Sequence, residues 1–231
     1  MRSPHLRFAG VCCVWGASLL SPAQRSTFDV IRGGEKVGSI STSRTTFGDR
    51  TLYVTLSWAE FDLLWRQNVR TVNTTEYAAD TVLTCRTAVH VNGSIRDSSH
   101  MAPTSDGLRC YVYPGRVFRG TPRTDWTTAR MYFEEPVGQD LVFVESVLEP
   151  CSLLSTAPGR YMLIFPNGAR NRYRYANGAL QEVQVDRSFL DLVFRRRLRP
   201  VVDRVMPLRE GAAAQRLLEA GEQFGKIVLE P

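Results

Sequence analysis

The sequence predicts a mainly β fold, a curled antiparallel sheet or open β-barrel built as a meander, with a short C-terminal strand–helix–strand appendage. Three observations carry this. Short runs rich in β-branched and aromatic residues recur through most of the 231 residues. Gly-bearing turns separate them closely: Gly33-Gly34, Asn92-Gly93, Asn167-Gly168 and Asn177-Gly178. After Arg197 the pattern changes to helical spacing, with Ala213, Leu217 and Leu218 on one face.

Residues 1–23 read as a secretory signal. Arg2 and Arg7 precede the apolar run Phe8–Leu20, Ser21-Pro22-Ala23 offers small residues for cleavage, and no acid precedes Asp29. The run is short for a membrane span. The expected location is therefore outside the cytoplasm, periplasmic or extracellular.

Residues 24–197 form the expected β-domain. Phe28–Ile31 is a strand, Gly33-Gly34 turns it, and Val37–Thr46 returns with Val37, Ser39, Ser41 and Ser43 on one side. Leu52–Trp65 reads as a long strand, although Phe61, Leu64 and Trp65 also fit helical spacing. Val69–Ala78 and Thr81–Val91 continue the pattern. Ser98–Gly107 is polar and reads as a surface loop; His90 and His100 are expected in a polar loop region with no matching ligand cluster. Leu108–Tyr113 is a strand, Gly120–Asp125 a turn, Ala129–Phe133 a strand ended by Glu134-Glu135-Pro136. Leu141–Val147 follows, and Cys151–Pro158 reads as a loop.

Tyr161–Asp186 is the clearest stretch. Treating both Asn-Gly turns as three-residue loops places Tyr161 opposite Tyr173, and Arg172 opposite Glu182. One side then carries Tyr161, Leu163, Phe165, Tyr173, Tyr175, Val183 and Val185; the other carries Arg170, Arg172, Arg174, Glu182, Gln184 and Asp186. The aromatic side is either a filled core or the lining of a cavity. Asp186–Arg197 closes the pattern with Phe189, Leu192, Val193 and Phe194.

These residues carry a resemblance. FDVIRGGEKVGSISTSR, RMYFEEPVGQDLVFVES and the run from Gly159 to Arg197 are similar to a family of uncharacterised exported bacterial β-proteins, over about Phe28–Arg197. The resemblance implies a signal peptide and a curved sheet in the manner of open barrels that hold apolar ligands. It brings no catalytic residues.

Residues 198–231 predict a strand (Pro200–Met206), a helix (Glu210–Ala220) closed by Gly221, and a strand after Gly225. They resemble the C-terminal segment of medium-chain dehydrogenase/reductases of the quinone- and enoyl-reductase type. In that family NADPH binds through a Gly-rich turn upstream, and residues 1–197 supply no GxGxxG on a βαβ unit. The segment therefore reads as a reductase-like fragment, inactive alone, and no cofactor is expected.

The functional expectation is a non-catalytic binding or structural β-domain of the envelope. Its partner would be an apolar small molecule or an envelope protein. The candidate ligand-binding residues are Tyr161, Phe165, Tyr173, Tyr175 and Trp126. The alternative is an oxidoreductase-related fusion built on the tail. Glu134 and Glu135, beside Asp140 or Glu145, are the nearest thing to an acid–base pair; as neighbours on a strand they would face opposite ways. The net charge is +6, almost all of it from Arg. Arg170, Arg172 and Arg174 are candidate anion contacts. Basic residues are otherwise interleaved with acids, so nucleic-acid binding is not expected. Cys85, Cys110 and Cys151 would remain after signal removal, with Cys85–Cys110 a candidate disulfide on neighbouring strands and three buried thiols the alternative. No Cys/His spacing supports a metal.

Overall fold

The computed structural model describes residues 23–105, 107–119, 125–187, 190–197, 202–220 and 226–231. The signal-like segment, Phe189, Gly221, Gly225 and most of the Gly120–Asp125 turn lie outside them. The chain forms two compact units, Met1–Arg195 and Arg196–Pro231.

The larger unit is one 14-stranded sheet. Its first arm is an antiparallel meander of eight strands: β1 (Gln24–Arg32), β2 (Glu35–Phe47), β3 (Arg50–Asp62), β4 (Arg66–Ala78), β5 (Thr81–Val91), β6 (Ser94–Thr104), β7 (Gly107–Tyr113) and β8 (Arg116–Arg119). The second arm is β9 (Leu141–Val144), β10 (Glu149–Ala157), β11 (Arg160–Ile164), β12 (Arg170–Ala176), β13 (Ala179–Arg187) and β14 (Leu190–Arg196). The arms meet at β1 and β14, which are neighbours in mid-sheet, while β8 and β9 form two edges that do not close.

The sheet curls because both arms bury one face against the same material. Phe28, Val30 and Ile40 of the first arm share a core with Leu163, Tyr173 and Val183 of the second. β-Bulges help it bend. Register shifts occur between Val30 and Ile31, Glu76 and Tyr77, Val89 and His90, Ser155 and Ala157, and Arg174 and Tyr175. Gly38 marks a close approach: a Cβ there would lie 2.1 Å from the Trp58 carbonyl oxygen on the next strand.

Several sequence expectations change. The first Asn-Gly turn is a three-residue loop, with Phe165 N–H donating to the Ala169 carbonyl (2.9 Å) and Tyr161 opposite Tyr173. The second is a two-residue turn, Asn177-Gly178, with φ of 51° and 70° as a type I′ turn requires. A bulge beyond it adds the missing residue, so Arg172 faces Gln184 rather than Glu182. The face assignment survives because loop and bulge together restore the parity of the three-residue loop.

Ser98–Gly107 is largely strand, pairing with β5 and β7, so His90 and His100 sit in the sheet and not in a loop. Cys151–Ala157 is also strand. Leu52–Asp62 is strand and Leu63-Leu64-Trp65 the turn after it, excluding the helical option. Ala129–Phe133 is not a strand: Arg130–Tyr132 is a 3₁₀ turn on the concave side of the sheet. Cys85 and Cys110 are not on neighbouring strands, since Met101 of β6 pairs with both. Two strand spacings separate them, about 10 Å, beyond disulfide reach. All three cysteines are free and buried.

The smaller unit has β15 (Val202–Pro207), α1 (Gly211–Ala220) and β16 (Lys226–Glu230), with β15 and β16 paired in parallel. Parallel neighbours need a crossover connection, and α1 lies within it.

Candidate functional site

Two clusters of side chains meet inside the curled sheet, and the segment from Trp126 to Glu145 divides them. This segment is held by hydrogen bonds to strands of both arms. Tyr77 O–H donates to Thr127 Oγ1 (2.9 Å), and Tyr175 O–H donates to the Met131 carbonyl (2.7 Å). Tyr161 O–H donates to Glu135 Oε1 (2.9 Å), while Arg44 Nη1 donates to Glu134 Oε1 (2.7 Å). Rings add to the attachment: Phe28 and Tyr132 stack edge-on at 5.4 Å, and Tyr53 lies 5.6 Å from Phe133. Met131 is fully buried.

Glu145 anchors this arrangement. It is fully buried, yet its carboxylate accepts from the Ala129 N–H (2.9 Å), from Thr75 Oγ1 (3.2 Å) and from Thr128 Oγ1. Its own backbone carbonyl accepts from Ser99 Oγ. A buried carboxylate is tolerable only when its lone pairs are met this way.

Glu134 and Glu135 therefore have separate duties. Glu134 pairs with Arg44 and Arg130, and Glu135 takes the Tyr161 hydroxyl. They follow a 3₁₀ turn rather than ending a strand, and neither is hydrogen-bonded to Glu145.

Beyond this segment the interior is not filled. A pocket of about 280 Å³ lies between the two arms. One wall is polar, built by Ser57, Thr71, Asn73 and Thr87 of β3–β5. The other is mostly apolar, with Phe165, Tyr173, Val185 and Phe194. Thr128, Tyr132 and Ser146 also line it. No side chain lining it, among the described residues, carries a charge.

The polar wall has a register origin. Thr42, Thr55, Asn73, Thr87 and Ser99 stand directly opposite one another on five successive strands, forming one row across the inner face. Thr42 and Thr55 hydrogen-bond each other (3.1 Å). Asn73 Oδ1 accepts from Thr75, and Ser99 donates to the Glu145 carbonyl. Thr87 is 4% exposed, and its hydroxyl has no hydrogen-bond partner among the described residues.

The five candidate ligand residues are thus divided. Tyr161 and Tyr175 are buried, stack edge-on at 5.7 Å and spend their hydroxyls on the Trp126–Glu145 segment. Burial, and then the Glu135 carboxylate, pushes the Tyr161 hydroxyl up to about 12; burial likewise pushes the Tyr175 hydroxyl well up. Trp126 is half-buried against the core, with the Arg130 guanidinium 4.5 Å over its ring. Only Phe165 and Tyr173 line the pocket.

Sequence reasoning missed Phe194, Asn73 and Thr87. The alternation along each strand was visible, but cross-strand register, which aligns the row, depends on bulges that no residue type announces.

The Arg row lies on the outer face of β12. Arg172 is ion-paired with Asp186; Arg174 lies 3.7 Å and Arg195 3.3 Å from Glu182. Arg172 and Arg174 border an external groove, whose rim Arg170 does not join. No group of three or more metal-ligating side chains occurs among the described residues.

Residues 28–197 match the domain of unknown function DUF6134. This chain belongs to that family. No curated protein matches. Among solved structures, a β-barrel-like protein of domain of unknown function DUF1849 from Brucella abortus is similar at 13% identity, with a TM-score of 0.48. That likeness covers 78% of this chain and 98% of the other. The DUF6134 member described here is thus a β-protein whose family carries no assigned activity. No helix among its described residues is long and apolar enough to cross a membrane.

Proposed function

We propose that this DUF6134 protein is an exported, non-catalytic binding protein that holds a small molecule inside its curled sheet. The observation that carries the reading is the unfilled pocket facing Phe165, Tyr173 and Phe194. Small barrels are usually filled by their own side chains, and here a pocket remains beside the filled core. The volume lies near the lower bound of ligand pockets, about 300 Å³, which restricts the occupant to a small compound. Export rests on the charge order and apolar run of residues 1–23.

The test uses the uncharged fluorophore N-phenyl-1-naphthylamine. Its emission should rise on adding the protein, and Ser57→Phe, which fills the pocket from β3, should abolish the rise while leaving the circular dichroism unchanged. Equal enhancement by wild type and Ser57→Phe would sink the reading. Export is tested separately, by finding the mature chain cut near Ala23 in the extracytoplasmic fraction of a bacterial host.

A second reading concerns residues 198–231. The parallel β15–α1–β16 unit suits descent from the C-terminal segment of an NADPH-dependent reductase. The upstream sheet is antiparallel and offers no dinucleotide fold. On this reading the segment is a remnant without activity of its own, and titration of NADPH fluorescence with the full chain should show no change.

A further inference from the structure

We infer that the pocket selects uncharged ligands bearing one hydroxyl or carbonyl group, and that Thr87 is the residue that meets this group. The inference rests on the proposal that the pocket binds a small molecule, and it sharpens the apolar ligand expected from the aromatic face.

Three observations lead to it. First, the two walls differ in chemistry. Phe165, Tyr173 and Phe194 offer rings to an apolar body, while Ser57, Thr71 and Asn73 offer polar groups opposite. A purely apolar occupant would desolvate that second wall without replacing its hydrogen bonds, which weakens its binding.

Second, Thr87 stands fourth of the five residues in the polar row, and its neighbours there bond to other groups. Asn73 and Ser99, the residues opposite it on β4 and β6, are bonded to Thr75 and to the Glu145 carbonyl. Its hydroxyl is buried without a partner among the described residues, yet Thr87 lines the pocket. Buried polar groups in native proteins are nearly always satisfied, and because Thr87 lines the pocket, a ligand group that reaches its hydroxyl would satisfy it.

Third, charge is excluded. None of the lining side chains could pair with an ion. The nearest carboxylate in sequence, Glu145, already accepts from two hydroxyls and a backbone N–H. An ionised ligand would enter without a counter-charge. A neutral hydroxyl or carbonyl needs only the donor–acceptor pair that a threonine provides.

The experiment is displacement of N-phenyl-1-naphthylamine from the full chain by 1-octanol and by octanoate at pH 8. They have equal chain lengths and differ in the charge of the head. Octanol should displace the probe at a concentration at least about tenfold lower than octanoate. Thr87→Val should weaken octanol about 3- to 10-fold, the range set by one net hydrogen bond of about 0.7–1.4 kcal/mol. Thr87→Ser should retain wild-type affinity, and all variants should still enhance the probe. Equal displacement by octanol and octanoate would overturn the inference. So would an unchanged octanol affinity in Thr87→Val, since the hydroxyl would then be satisfied by water alone. Failure of the wild-type protein to enhance the probe would instead overturn the pocket reading, and this inference with it.

Discussion

The two ends of the sheet interior are built from the same strands yet end in opposite states. Around Glu145, the segment 126–145 fills the space and every buried polar group named there has a partner. In front of Tyr173 the strands carry similar side chains, and the space stays empty. The difference lies in what crosses the interior, not in the sheet. Aromatic residues become core where a crossing segment gives their hydroxyls an acceptor, as Met131 does for Tyr175 and Glu135 for Tyr161. Tyr173, buried in the same core cluster, also lines the pocket.

The largest effect should come from breaking the filled end at its anchor. Glu145→Ala strands the Ala129 N–H and the Thr128 hydroxyl and leaves Thr75 only its bond to Asn73. The expected loss is on the order of 4 kcal/mol, seen as a lower urea midpoint. A loss below about 1 kcal/mol would show that the segment is not held by this residue.

Alkaline pH should attack the same end. Tyr161 has an unfolded value of 10.0 and is held at about 12 when folded. A raised folded value means its contribution is intact below pH 10 and is lost as pH rises from 10 to 12. Tyr161 should contribute up to roughly 3 kcal/mol of the fall across that window, beside the other buried tyrosines, and the fall should be shallower in Tyr161→Phe. An identical pH profile in the variant would contradict the assignment.

Tyr175→Phe should cost about 1–2 kcal/mol, because the Met131 carbonyl then lies buried without its donor. It should leave probe binding in the open end unchanged, since Tyr175 does not line the pocket.

The smallest effects fall within the polar row, and there the signs should differ. Thr42→Val leaves the Thr55 hydroxyl unpaired and should destabilise by about 1 kcal/mol. Thr87→Val removes a hydroxyl that has no partner to lose, so thermal unfolding should show no loss, or a gain of up to about 1 kcal/mol. Equal losses in both variants would mean that the row is uniformly satisfied.

Much of this was legible in the residues. Alternation from Tyr161 to Asp186 separated the buried face from the Arg face, and the Gly-bearing turns announced a meander. What escaped was non-local. Nothing around Ala129–Phe133 distinguishes a strand from a 3₁₀ turn except that it must fit inside a sheet already formed. The second Asn-Gly turn looked identical to the first, but its loop is one residue shorter and a bulge makes up the count. Thr87 is an ordinary strand threonine until the rows on either side are aligned.

The meeting of β1 and β14 in mid-sheet has a kinetic consequence. Each arm is a chain of hairpins between sequence neighbours, which can zip locally. The β1–β14 contact must instead bring together segments from opposite ends of the β-unit, with a correspondingly large loop-closure entropy. Refolding should therefore be limited by this one encounter. A permuted gene that links Arg196 to Gln24 and opens the chain between β8 and β9 would turn it into a local hairpin, and should refold faster with its native stability little changed.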